Sequence, residues 1–226
     1  MTELAQHSTP YSVVEAEPPE LMGRNLRVAA HLWASSTGFF FFAFLFAYFY
    51  LRSVNSQGKW HPHAVKAPVT LGTLIAASVV VSAVLVVVAA SRLRTGDESG
   101  WRLAGLGGLV LGVLAIVLQV VEWSTIGFGP TEGGYASVFF GWTGLYLVFL
   151  VCTLYWLETL LATSFRYAGR GASGHAPGEA SGDSHRTGDD IAEPISLIGP
   201  GADAFAFYWA VFAVIGVVTW IILYLL

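Results

Sequence analysis

The sequence predicts an all-α protein, an integral membrane bundle of five transmembrane helices. Apolar residues make up 55% of its 226 residues and charged residues 12%, with a mean hydropathy of +0.63. A soluble domain carries roughly twice that charged share. The chain also holds five apolar segments, each able to cross the ~30 Å hydrocarbon core with roughly 20 residues. Runs such as Val79-Val80-Val81 and Val86-Val87-Val88 lack the alternation that a β-barrel strand needs. In lipid each backbone group must be satisfied inside its own segment, so each span is a helix.

The first span runs from about Val28 to Leu51 and holds His31, its only ionisable group. The second covers about Val69 to Ser91 and the third about Leu103 to Val121. The fourth covers about Ala136 to Leu161, with Glu158 near its end, and the fifth about Ala204 to Leu226. Residues 1–27 read as a cytoplasmic N-terminal tail and residues 28–226 as the five-helix domain. The tail contains Glu3, Glu15, Glu17, Glu20 and a Pro18-Pro19 pair, without the continuous apolar core of a signal peptide. A stretch at 165–200, rich in Gly, Ala, Ser and Asp, reads as a flexible linker, and its His175 and His185 as solvated side chains.

Lys and Arg placement sets the orientation. Arg24, Arg27, Arg92, Arg94, Arg102, Arg166, Arg170 and Arg186 fall on one side. Arg52, Lys59 and Lys66 fall on the other. The richer side is expected in the cytoplasm, with the N-terminus inside and the C-terminus outside. The net charge of −4 argues against a nucleic-acid partner. A single cysteine, Cys152, excludes an internal disulfide and a cysteine-based metal cluster, and its apolar surroundings read as core.

Helices in lipid associate by close packing and hydrogen bonds. Ala104, Gly108 and Gly112 form a small-residue ladder on the third span; Ser78 with Ser82 and Ala43 with Ala47 form two further pairs. All read as internal bundle packing. Gln119 and Glu122 lie one turn apart near the end of the third span. A carboxylate there is a functional candidate, but a structural hydrogen bond to a neighbouring helix or loop serves equally well. Glu158 reads as reaching water or Arg102. His31 alone cannot supply the facing axial ligands of a haem between helices. No phosphate-binding loop, nucleophile elbow or metalloprotease motif occurs. The residues therefore nominate no catalytic, cofactor-binding or metal-ligating side chain.

The order of motifs resembles subunit III of the haem–copper oxidases, the cytochrome c oxidase subunit 3 family. Phe46-Ala47-Tyr48-Phe49-Tyr50-Leu51-Arg52 matches a helix end of the form F-A-Y-F-x-L-R. Pro68 to Ser78 looks like the family's entry into its next helix, with Leu71, Thr73 and Ser78 in place. Leu111-Gly112 with Gln119, Glu122 and Trp123 matches L-G-x-x-F-x-x-x-Q-x-x-E-aromatic, lacking only the Phe. Tyr135, Ser137, Phe139, Phe140, Thr143 and Gly144 match Y-G-S-x-F-F-x-x-T-G, with Ala136 for the Gly. Tyr208-Trp209 matches the start of the last helix. The resemblance runs from about Leu32 onward and corresponds to the five-helix form of the family. The chain departs from it at Thr37, Tyr146, Phe149, Ala210 and Ala213, where the family carries a carboxylate, two histidines, a histidine and an aspartate. Proton-related roles of those side chains do not carry over.

The resemblance implies an accessory, cofactor-free membrane subunit of a terminal oxidase in aerobic respiratory electron transport. It would sit in a bacterial plasma membrane beside the catalytic subunit I, other oxidase subunits and lipid. Gln119, Glu122, Tyr135 and Thr143 are expected to form a structural polar cluster, with Glu122 held against the turn through Tyr135. Two alternatives are a subunit III-like companion of a nitric oxide reductase and an orphan assembly factor or transporter. The absence of interrupted helices and mid-membrane charges disfavours a transporter.

Overall fold

The computed structural model describes residues 19–55, 60, 67–172 and 189–226. Five helices account for almost all of them: α1 (Pro19–Val54), α2 (Val69–Arg94), α3 (Glu98–Thr125), α4 (Gly134–Ala172) and α5 (Asp189–Trp220). The last passes into a π-helical turn at Ile221–Leu225. Each of the five contains a stretch long and apolar enough to span a membrane.

The helices begin and end beyond the expected spans. α1 starts at Pro19 rather than Val28, so only residues 1–18 of the expected tail lie outside the described residues. Proline suits a first helical position, where its missing N–H would be unpaired anyway. The buried stripe Ala30, Ala34, Thr37, Phe41 and Tyr48 extends back at helical spacing to Gly23, which approaches Pro200 of α5. The expected linker shrinks likewise, because residues 165–172 continue α4 and 189–200 begin α5. Propagating an existing helix costs far less than nucleating one. His175 and His185 lie outside the described residues.

α5 is the hub of the bundle. It packs on α1, α2 and α4, while α3 packs on α2 and α4. Half of the most apolar window of α5 is buried, against 22% for α1. Its inward face carries Phe205, Trp209 and Phe212 in successive turns, and their rings stack on one another. Trp156 of α4 meets Phe205 edge-on at 5.2 Å, and Tyr146 of α4 stacks on Phe212 at 4.5 Å. Large flat rings fill the interior where aliphatic side chains would leave gaps.

α2 and α3 form a tight hairpin. Gly96 turns the chain with φ +80, a conformation that a Cβ disfavours. Asp97 then caps α3 by accepting the Gly100 N–H at 2.8 Å. That bond, the Ser99 hydroxyl and nearby Arg92 hold its carboxyl below the usual aspartate range. Along the hairpin, Ser82 of α2 donates to the Gly108 carbonyl at 2.6 Å and accepts from Trp209 Nε1 at 3.1 Å, joining three helices.

Each small-residue pattern divides in the structure. Gly108 faces Val86 and Ser82 of α2, whereas Gly112 faces Leu154 of α4 and is joined there by Gly105 against Leu161. The reason is angular: a residue four positions on is turned by about 40° around a helix of 3.6 residues per turn. Ser82 is buried, but Ser78 bonds back to Leu74 on an exposed face. Ala43 is exposed, so Ala43 and Ala47 form no continuous seam within this chain.

A Cβ on Gly108 would sit 2.8 Å from Val86 Cγ2 and 3.3 Å from the Ser82 carbonyl oxygen. Gly108→Val is expected to lower stability by ~1–3 kcal/mol through overpacking. Gly144→Ala should change it by less than ~0.5 kcal/mol, since nothing lies within 4 Å of the new carbon. Thermal unfolding of the two variants in one detergent checks the contrast.

Candidate functional site

Four of the buried polar residues, Gln119, Glu122, Thr143 and Thr219, lie toward the end of the bundle opposite the arginines Arg94 and Arg102. That arginine end is closed by Arg94 with Asp203 at 2.8 Å and by Arg102 with Glu98 at 2.6 Å and Ser164 at 3.1 Å. Arg102 is thus engaged by Glu98 and Ser164, and of the two partners expected for Glu158, water or Arg102, its exposure on α4 leaves water. The cause is register: Glu98 stands one turn before Arg102 on the same helix face. Cys152, expected in the core, is also exposed. It lines an apolar lateral groove of about 290 Å³ with Leu26, Ala29, Trp33, Trp156 and Tyr208.

At the other end, Glu122 is fully buried near the close of α3. Gln119, one turn earlier, donates its Nε2 to Glu122 Oε2 at 2.8 Å. The second donor on Oε2 is the hydroxyl of Tyr224, at 2.7 Å, from the π-helical turn after α5. Glu122 Oε1 is buried without a partner among the described residues. One carboxylate oxygen thus clamps the third helix to the end of the fifth.

Tyr135 and Thr143 serve neighbouring junctions. The Tyr135 hydroxyl donates to the Leu223 carbonyl at 2.6 Å. The last carbonyls of a helix lack intrahelical donors, and this bond supplies one. Glu122 and Tyr135 therefore grip adjacent residues of one turn, 224 and 223, where the sequence suggested that Glu122 would hold the Tyr135 turn. Thr143 accepts from Trp123 Nε1 at 3.1 Å and donates to the Phe139 carbonyl at 2.7 Å, tying α3 to α4 on its own account. The four residues lie in one region but act as three separate ties.

Two participants were missed in the sequence. Tyr224 lies in the apolar fifth span, where an isolated tyrosine near a helix end gives no sign of its partner. Its ring lies over Gly72 of α2, where a Cβ would come within 2.3 Å of it; the pair Gly72 and Tyr224 could have been suspected only from their complementary sizes. Trp60 was treated as loop, yet it is buried, with its ring 5.1 Å from Tyr48 and 6.0 Å from Tyr135. Its carbonyl accepts the Tyr135 N–H at 3.2 Å.

Among the described residues no three His, Cys, Asp or Glu side chains converge. His31 is exposed, donates Nδ1 to the Arg27 carbonyl at 2.6 Å, and stacks on Phe207 at 4.2 Å. At the positions where the resemblance marks lost polar residues, the chain has built an apolar interior. Tyr146 stacks on Phe212, Phe149 meets Phe41 at 5.6 Å, and Ala213 is buried. Thr37 is buried with its hydroxyl 3.4 Å from that of Tyr208.

Interhelical hydrogen bonds in membrane proteins average ~0.6 kcal/mol and seldom exceed about 1.7. A double-mutant cycle of Glu122→Leu with Tyr224→Phe is expected to show a coupling in that range, measured by reversible unfolding. The same cycle with Thr143→Val in place of Tyr224→Phe should give a coupling near zero. Equal couplings would mean that the four residues act as one network.

Two comparisons with known proteins bear on identity. A search of curated proteins gave no significant match. The family model for cytochrome c oxidase subunit III matches residues 15–175, which takes in α1 to α4 and leaves α5 outside the matched region. That match covers well over half of the chain, and the five membrane-spanning helices agree with it; the chain belongs to the cytochrome c oxidase subunit III family and is an integral membrane protein.

Proposed function

We propose that this chain is the accessory, cofactor-free subunit III of a terminal haem–copper oxidase in aerobic respiration. It packs beside the catalytic subunit I, which carries the haem and copper chemistry and passes electrons from cytochrome c or quinol to oxygen. Family membership supports the class of complex. The observation that carries the accessory role is the use made of the buried polar groups. Glu122, Gln119, Tyr135, Thr143 and Ser82 each hydrogen-bond another helix, a helix end or a close neighbour. Such groups hold a scaffold together. The substitution of Thr37, Tyr146, Phe149, Ala210 and Ala213 at the family's polar positions favours the same reading, since none of these side chains carries a proton at neutral pH in the way a carboxylate or imidazole does.

The orientation proposed is N-terminus in the cytoplasm and C-terminus outside, in a bacterial plasma membrane. It is supported by the gathering of Arg92, Arg94, Arg102 and Arg166 at one end of the bundle and Arg52 at the other.

Tagged protein purified in mild detergent is expected to bring down a large haem-bearing subunit, identified by mass spectrometry. A nitric oxide reductase in that fraction would favour the companion role in denitrification instead. Once the partners are stripped, the reduced-minus-oxidised spectrum of the chain should be flat; a stoichiometric haem band would overturn the accessory role. Glu122→Gln should leave assembly and oxygen consumption nearly unchanged, while Glu122→Leu should reduce co-purification with little change in turnover per intact complex. If both assemble normally and lose turnover alike, the carboxylate handles protons. Cysteine labelling of intact cells should mark position 58 and miss position 178.

A further inference from the structure

Tyr146 is the one buried hydroxyl among the described residues whose oxygen has no hydrogen-bond partner. Its ring is fixed, stacked on Phe212 with the planes 10° apart and edge-on to Phe41. Its hydroxyl reaches across to Gly216 of α5, where a Cβ would lie 2.3 Å from the oxygen. The absence of a side chain at Gly216 leaves the hydroxyl room without giving it a partner. A buried hydroxyl with no bond is costly, and a stacked ring cannot swing away to find one.

Tyr146 and Gly216 both line a small cavity between α2, α4 and α5, close to the end of α3. The remaining wall is mixed. Ile75, Ala76 and Val79 of α2 are apolar, while Gln119, Thr143, Thr219 and Tyr224 bring polar atoms from three helices. The cavity measures about 20 Å³. One water molecule needs roughly 10–15 Å³ by that measure and two to four polar partners. The wall meets both conditions. Thr219 spends its proton on the Ile215 carbonyl and Tyr224 spends its own on Glu122, so both present oxygen lone pairs. Gln119 uses one amide hydrogen on Glu122 and has a second.

We propose that this cavity is a built site for a single ordered water molecule, which bonds Tyr146 and links it to the Gln119–Glu122–Tyr224 clamp. The water accepts from the Tyr146 hydroxyl or from the second amide hydrogen of Gln119, and donates to the threonine and tyrosine oxygens of the wall. It completes the polar layer that the protein atoms leave unfinished, and it does so whichever complex the chain joins. An apolar occupant of this size would leave Tyr146 unpaired, and a larger ligand does not fit.

Occupied and dry cavities predict opposite responses to Tyr146→Phe. If the cavity is dry, the substitution removes an unpaired buried hydroxyl and raises the melting temperature. If water is bound, it removes a bond the water needs, so the melting temperature falls. The test combines that measurement on the purified complex with a cryo-electron microscopy map fine enough to show ordered water. The expected result is a density peak within about 3 Å of Tyr146 Oη, in the range of a hydrogen bond, and a lower melting temperature for Tyr146→Phe. An empty cavity in the wild-type map, or a rise in melting temperature, overturns the proposal.

Discussion

Three helices meet at one hydroxyl. Ser82 donates to a backbone carbonyl of α3 and accepts from the indole of Trp209 on α5. Inside a bilayer the helices gain nothing from burying apolar surface against each other rather than against lipid. Close approach and a few directed bonds must decide which faces meet. Ser82 supplies both, because its small side chain and the bare Gly108 opposite let the backbones approach. The α2–α3 hairpin is thereby set at a fixed angle to α5. The aromatic ladder of α5 then fills the space against α4, and α1 closes over what remains. The clamp at Glu122 repeats the arrangement at the far end, where Gly72 leaves space for Tyr224 and α3 supplies the acceptor.

The helices were legible because lipid admits few alternatives: long apolar runs with satisfied backbones are helical. Their ends were not. At Gly23 and at 165–172 the hydropathy falls while helix formation continues, since hydropathy measures contact with lipid and not backbone conformation. Side-chain partners were legible only within a turn or along a helix. Gln119 and Glu122 are an example, three residues apart and bonded as expected. Glu122 with Tyr224, separated by 102 positions, could not be paired by spacing. The same limit explains Cys152, which is exposed. On a membrane helix the outward face is as apolar as the inward one, so composition does not tell which residues face the bundle.

Several residues at the family's polar positions sit close together in this bundle. Tyr146 and Phe149 come from α4, Ala213 from α5 and Thr37 from α1. They lie against one another's neighbours: Phe41 touches the rings of Tyr146, Phe149 and Phe212. What stands there is ring stacking with a small alanine beside it, a volume match and not a hydrogen-bond match. The clamp at Gln119, Glu122 and Tyr224 keeps its polar character.

The position of α5 in the chain gives the bundle a sequence of events. α2 and α3 can associate as soon as the hairpin at Gly96 has formed, because their contact is local. α1 precedes α2, α3 and α4 in the chain, but it packs chiefly on α5, which follows them. Until α5 is made, α1 therefore waits in the bilayer with its inward stripe of Ala30, Ala34, Thr37 and Phe41 facing lipid. The apolar character of that stripe is what makes the wait tolerable. A carboxylate at Thr37 would spend the same interval without a partner.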